Sequence, residues 1–176
     1  MEYIDIFDEN NNPTGQIKEK GKAHEEGDFH RTAHVWIIND KNELLLQKRS
    51  ANKKSHPNCW DISGAGHIKA GEIVIDGAIR KLKEETGCDV KLDGVCYVAN
   101  RILEDDLFVM IVFNAKLINE NIEFDKEEIL DVKWFDYDEI VNKMESMLRG
   151  NYARTAVINQ NNNLVAPIDI VDILKD

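Results

Sequence analysis

Glu84 and Glu85 stand side by side near the end of a segment that opens with closely spaced glycines. Followed from Gly66, the segment has five residues, Glu72, seven residues, Arg80, and then Leu82, Glu84, Glu85, Gly87 and Cys88. Carboxylates at adjacent and i+4-related positions of a helix converge on one hard cation. Oxygen ligands suit magnesium, which also takes phosphate oxygens. Arg80 has the charge to hold such a cluster together. Taken alone, the two glutamates read better as ordinary surface ion pairs with Arg80 and Lys81, four residues earlier in each case. The complete spacing, behind a glycine-rich loop, favours the cation.

These residues need a helix to carry them and a sheet to carry the helix. From Glu72 onward Ile75, Ala78, Ile79 and Leu82 recur at helical spacing while Arg80, Lys81 and Glu84 project elsewhere, which predicts an amphipathic helix stopped by Gly87. Residues 61–71 are rich in glycine and small side chains, and predict a flexible loop that wraps close to something. Upstream, residues 3–8 predict a strand, residues 9–15 a polar turn, and Gln16 opens a second extended piece, so an N-terminal β-hairpin covers about residues 1–22. Apolar runs at 33–39 and 44–48, joined by polar residues 40–43, predict a second hairpin, and a polar loop follows over 49–58. Downstream, strands are expected at 94–103, 107–117 and 132–135. Asp136 then caps a second helix reaching about Leu148, with Ile140, Met144, Met147 and Leu148 on one face. Residues 159–163 are a polar loop, and 167–175 predict a last short helix. The order of elements implies one α/β domain over residues 1–176, a sandwich around a mixed sheet.

Composition narrows the partners. With 33 acidic against 22 basic residues the net charge is −11, and no long run of Lys or Arg offers a local exception. Such a surface repels nucleic-acid backbones and anionic lipid, so neither is an expected partner. Cys59, Cys88 and Cys96 show no CxxC spacing and no even count, which points to buried thiols in a reducing compartment. No basic stretch leads into an apolar run at the start, and no segment has the length to span a bilayer; the expected location is cytoplasmic.

The stretch 66–88 resembles the Nudix box, in which a glycine loop leads into a helix whose glutamates bind divalent metal. The resemblance implies an α/β/α Nudix fold and hydrolysis of a diphosphate linkage in a nucleoside diphosphate derivative or similar organic diphosphate. It also implies Mg2+ or Mn2+ held by Glu84, Glu85 and the Ala65 carbonyl, with Arg80 supporting them. Glu128, in a stretch that resembles the place where many Nudix proteins supply a further glutamate, is the candidate base alongside the metal ligands. One specified position departs from the box: a glutamate normally follows the arginine, and here Lys81 does. That leaves the base and the metal count open, and with them a weakly active or inactive domain that binds a nucleotide-like ligand.

A second resemblance bears on Lys81. Type I isopentenyl diphosphate isomerases share the Nudix fold and carry a basic residue at that place. By similarity to them, His24, His30 and His67 would hold a second metal with Glu104 and Asp106 as carboxylate partners, and Arg49, Lys53 and Lys81 would grip the substrate's diphosphate. The isomerase's catalytic cysteine, two residues before the histidine, is replaced by Ala65, whose methyl group cannot move a proton. The layout Arg49, Lys53, Pro57 and Trp60 is similar to that of isomerase-like Nudix hydrolases. A diphosphate hydrolase acting on a small molecule is therefore expected first and an isomerase second, with a homodimer left open.

Overall fold

The computed structural model describes residues 1–103, 106–119, 121–143, 147, 148, 158 and 162. Strands β1 (Tyr3–Phe7) and β2 (Pro13–Glu19) pair antiparallel as the expected hairpin. Its turn is set by Asp8, whose Oδ1 accepts the amides of Asn10 and Asn12 at 2.9 and 2.8 Å, with Asn11 between them at φ 64°. An asparagine tolerates that left-handed backbone better than most residues. The second strand stops at Glu19, and Lys20–Glu26 form a short helix, α1, that the sequence pattern did not reveal. Seven residues with Ala23 as their one buried side chain leave no apolar stripe to detect.

The central sheet then follows as β3 (His30–Ile38), β4 (Leu44–Arg49), β5 (Trp60–Asp61) and β6 (Gly64–His67), a helix α2 (Val74–Thr86), strands β7 (Val90–Leu103), β8 (Asp106–Leu117) and β9 (Ile129–Phe135), and a helix α3 (Tyr137–Lys143). The strand order is β5-β4-β3-β8-β7, with β6 also on β3 and β9 also on β4. β3 and β8 run parallel and the other pairs antiparallel, so the sheet is mixed as expected.

Alternation along the central strands builds two cores. On β3, Ala33, Val35 and Ile37 face one side and Trp36 and Ile38 the other; on β8, Val109, Ile111 and Phe113 oppose Met110 and Val112. Val74, Ala78 and Leu82 of α2 cover the first face, and Ile140 of α3 covers the second. Each such side chain contributes about 1.5–3 kcal/mol on burial. The result is the α/β/α arrangement the sequence implied.

Several boundaries differ. The helix begins at Val74 rather than Glu72, and its buried stripe is Val74, Ala78 and Leu82; Ile75 is only partly covered and Ile79 is exposed. Residues 61–71 are not simply a flexible loop, because Gly64–His67 pair with β3 from Val35 to Thr32. What the glycines approach is α2: a Cβ on Gly64 would lie 2.6 Å from Leu82 Cδ1, and one on Gly66 would collide with the Lys81 stem. Asp136 does cap α3, its Oδ1 accepting the Glu139 amide at 2.7 Å, but Met147 is exposed rather than on the buried face. Leu148 is buried beside Trp60. Cys88 is buried as expected and Cys59 only half-buried. Met144, the Cys96 side chain and the helix expected at 167–175 lie outside the described residues. Among the described residues no helix is long and apolar enough to cross a membrane.

Candidate active site and histidine cluster

Arg80 is the hub of the α2 segment. Its Nε and Nη2 donate to both oxygens of Glu72 at 2.6 and 2.7 Å, its Nη1 reaches both oxygens of Glu84 at 3.2 Å, and Nη2 also donates to the His67 carbonyl at 3.2 Å. Glu72 in turn accepts the Lys69 amide at 2.9 Å, so one guanidinium ties the loop, the helix start and Glu84 together. The Arg80 hydrogen bond holds the Glu72 carboxyl below its ordinary value in spite of partial burial, and raises the guanidinium further. Gly77 is needed here, since a Cβ would press on Ile68 and on the Glu72 carboxylate.

The two adjacent glutamates have different partners. Glu84 is exposed and meets Arg80 and Lys81, the latter at 3.3 Å. Burial pushes its carboxyl up, but Lys81 and Arg80 outweigh that and it sits below the ordinary value. Glu85 is half-buried and turned inward: its Oε2 accepts the Gln47 side-chain amide at 3.0 Å and the Ala65 amide at 3.2 Å. Desolvation raises its pKa, with the charge of Asp61 adding to the effect. It is the amide of Ala65, rather than its carbonyl, that engages Glu85.

Gln47 and Asp61 were not anticipated. They face each other across β4 and β5, and Asp61 is buried to 1% exposure. A lone carboxylate between Trp60 and Ile62 in an otherwise buried stretch was the available signal. Asp61 Oδ2 lies 3.4 Å from Arg49 Nη1, while Arg49 also donates to the carbonyls of Ser55 at 2.9 Å and His56 at 3.2 Å. Arg49 therefore shapes the 50–58 loop as well as offering charge. Lys53, on that loop, makes an ion pair with Glu128, and the Ser50 amide donates to the Glu128 carbonyl at 2.9 Å. Two residues 75 positions apart in sequence thus share one edge of the site.

His24 from α1, His30 from β3 and His67 from β6 form the one group of three or more potential ligands brought together among the described residues, their ligand atoms all within 4.8 Å of one another. His24 Nε2 and His67 Nε2 are 3.1 Å apart, and the His30 Nδ1 lies 3.0 Å from the Asp28 carbonyl, which orients that ring. Burial, followed by the neighbouring His30 and His24 and by Lys20 and Lys81, drives the His67 pKa down to about 2, so its imidazole is neutral with a lone pair to offer. Glu104 lies outside the described residues, as does the Asp106 side chain; the Asp106 backbone opens β8, two residues before the residue paired with His30.

Comparison with known proteins gives a consistent set of likenesses. The family model described as NUDIX domain matches residues 28–155. An uncharacterized Nudix hydrolase of Clostridium acetobutylicum is 30% identical over 172 residues, covering 90% of this chain and 82% of that protein. Isopentenyl-diphosphate Delta-isomerase 2 of Photorhabdus laumondii is 33% identical over 137 residues, 76% of each chain. Among solved structures, a NUDIX hydrolase from Nitrosomonas europaea superposes with a TM-score of 0.69 at 20% identity, covering 81% of this chain and 95% of that one, a likeness of fold.

Proposed function

This chain belongs to the Nudix family, and from that premise we propose that it is a divalent-metal-dependent hydrolase of a diphosphate linkage in a nucleoside diphosphate derivative or similar organic diphosphate. The observation that carries the reading is the Arg80 hub, which locks the glycine loop to α2 and leaves the Glu84 and Glu85 carboxylates at the junction. The donor sets fit two kinds of ion: oxygen ligands at Glu84 and Glu85 suit Mg2+ or Mn2+, and the three close imidazoles suit Zn2+ or another nitrogen-preferring transition metal. A bound ion would supply Lewis-acid polarisation of a phosphoryl oxygen and a lowered pKa for water.

The remaining roles belong to side chains. Lys53, Lys81 and Arg49 neutralise the anionic tail. Water attacks phosphorus, the bond from phosphorus to the bridging oxygen breaks, and a carboxylate takes the water's proton. Glu128 is the candidate acceptor once Lys53 turns from it to the phosphate, with the metal ligands Glu84 and Glu85 as the alternatives. The half-buried Cys59 and buried Cys88, both free thiols, support work in a reducing, cytoplasmic compartment. Incubation with Mg2+ and a panel of nucleoside diphosphates, dinucleotides and nucleotide sugars should release phosphate or a nucleoside monophosphate.

A second reading, ligand binding with little turnover, is favoured by Lys81, which occupies Glu84 where the box ordinarily has another carboxylate. Tight binding without product across the panel would support it. Lys81→Glu separates the two: higher turnover means the lysine handicaps chemistry, and a worsened KM means it grips substrate. Isomerase chemistry lacks its thiol at Ala65. Formation of dimethylallyl diphosphate from isopentenyl diphosphate without phosphate release, followed by NMR, would overturn the hydrolase reading.

A further inference from the structure

Glu2, the residue just ahead of β1, brings a carboxylate into the cation-rich cleft beside α2. Glu2 Oε2 accepts Lys20 Nζ at 2.7 Å. The backbone holds it there, because the Lys20 amide donates to the Glu2 carbonyl at 2.8 Å and the Ala70 amide to the Tyr3 carbonyl at 2.9 Å. The cleft, about 620 Å³, is lined by Glu2 and Tyr3 on one side and by Lys69, Lys81 and Glu84 on the other. Glu2 is half-buried in it. Burial pushes the Glu2 carboxyl up, yet Lys20, Lys81 and Lys69 together bring it below its ordinary value, so all three ammonium groups act on it. Two of them also serve Glu84, Lys81 at 3.3 Å and Lys69 at 3.9 Å. Lys20 and Lys81 are also among the charges that lower the His67 pKa, after burial and the neighbouring His30 and His24.

From this arrangement we infer that Glu2 is a resident counter-anion: its carboxylate pairs with Lys20 in the resting protein, in the cleft that Lys69 and Lys81 also line, and is displaced from Lys20 by a phosphate group of the ligand. The argument is one of competition. A carboxylate spreads one negative charge over two oxygens, whereas a terminal phosphate carries more charge and a third acceptor oxygen, so it wins the lysines when it arrives. The carboxylate therefore keeps the cations ordered and screens weaker monoanions. The cost is weaker binding of the diphosphate than bare lysines would give. Glu2 is a specificity-determining residue outside the reacting groups, and the inference rests on the diphosphate reading of this site.

The experiment is calorimetry of inorganic pyrophosphate binding, with Mg2+ and low salt, on the full chain and on Glu2→Gln. Removing the competitor should tighten pyrophosphate about three- to fivefold, the size of an exposed ion pair, and the gain should shrink as salt rises. In a Lys20→Gln background the same change should have much less effect. Unchanged or weaker binding in Glu2→Gln, or an equal gain without Lys20, would overturn the inference, as would a chain that binds no pyrophosphate at all. Should Glu2→Gln loosen β1, the unmodified protein answers instead: the 13C resonance of the Glu2 carboxyl should move on pyrophosphate binding, and a resonance that stays put in the bound state contradicts displacement. Turnover of the substrate panel is scored separately. Tightened pyrophosphate with no turnover leaves the inference standing and the hydrolase reading fallen, and turnover with an unaffected Glu2→Gln does the reverse.

Discussion

The Glu72 carboxylate receives two hydrogen bonds from one guanidinium and a third from the Lys69 amide, and this makes it a structural ion rather than a spare acidic group. Its folded pKa is depressed. The stability it contributes is therefore fully present above the ordinary carboxylate value of 4.5 and is lost as pH falls through the lower folded value. Thermal melts between pH 7 and pH 3 should show a drop at the acid end that is flatter in Glu72→Gln. At neutral pH that variant should be less stable by about 1.5–3 kcal/mol, the range for a hydrogen bond to a charged group. Arg80, Glu84 and Glu85 were legible from sequence because the box is a local pattern, and its spacing survives without any knowledge of the fold. Asp61, Gln47 and Glu2 were not, since each matters through a partner from another strand or helix: Arg49, Glu85 and Lys20 respectively.

At the scale of elements, the junction of β6 with α2 decides whether the site exists. Leu82 is fully buried and also fills the space above Gly64, so the helix is docked by the same residue that makes glycine necessary in the strand. Leu82→Ala should cost about 2–5 kcal/mol. Gly64→Ala should also destabilise, because its Cβ would meet the Leu82 backbone at 3.2 Å as well as its side chain. Denaturant midpoints check both. In the double variant the losses should be less than additive, because the truncated Leu82 leaves room for the new methyl group. The helix itself was readable from its period and its Gly87 stop, which adopts φ 66°. The buried stripe is rotated from the expected one: Val74 joins Ala78 and Leu82 on the core face, and Ile79 is left exposed. Helix α1 escaped notice, being too short for periodicity to speak.

Across the whole molecule, the fold works by convergence. A helix, the first long strand and the strand that leads into the box each bring one imidazole to a single point, although 43 residues separate His24 from His67. No periodicity predicts such a meeting, and only the resemblance to isomerases pointed to it. The alternation of β3 and β8, by contrast, is local and plain, and it dictated helices on both faces. The cluster should take up Zn2+, read by calorimetry at pH 7. His30→Ala should weaken that uptake at least tenfold while Mg2+ uptake at the glutamates is little changed. Equal transition-metal affinity in the variant would mean that the three rings are a packed aromatic group and nothing more.

The account stands on Glu84 and Glu85 collecting a divalent cation for diphosphate cleavage. Its most direct test is magnesium titration of the parent and of a Glu84→Gln, Glu85→Gln double variant by calorimetry, with folding verified by circular dichroism. The account predicts saturable uptake by the parent and at least a tenfold loss in the folded variant. Magnesium bound equally well by both proteins would contradict it.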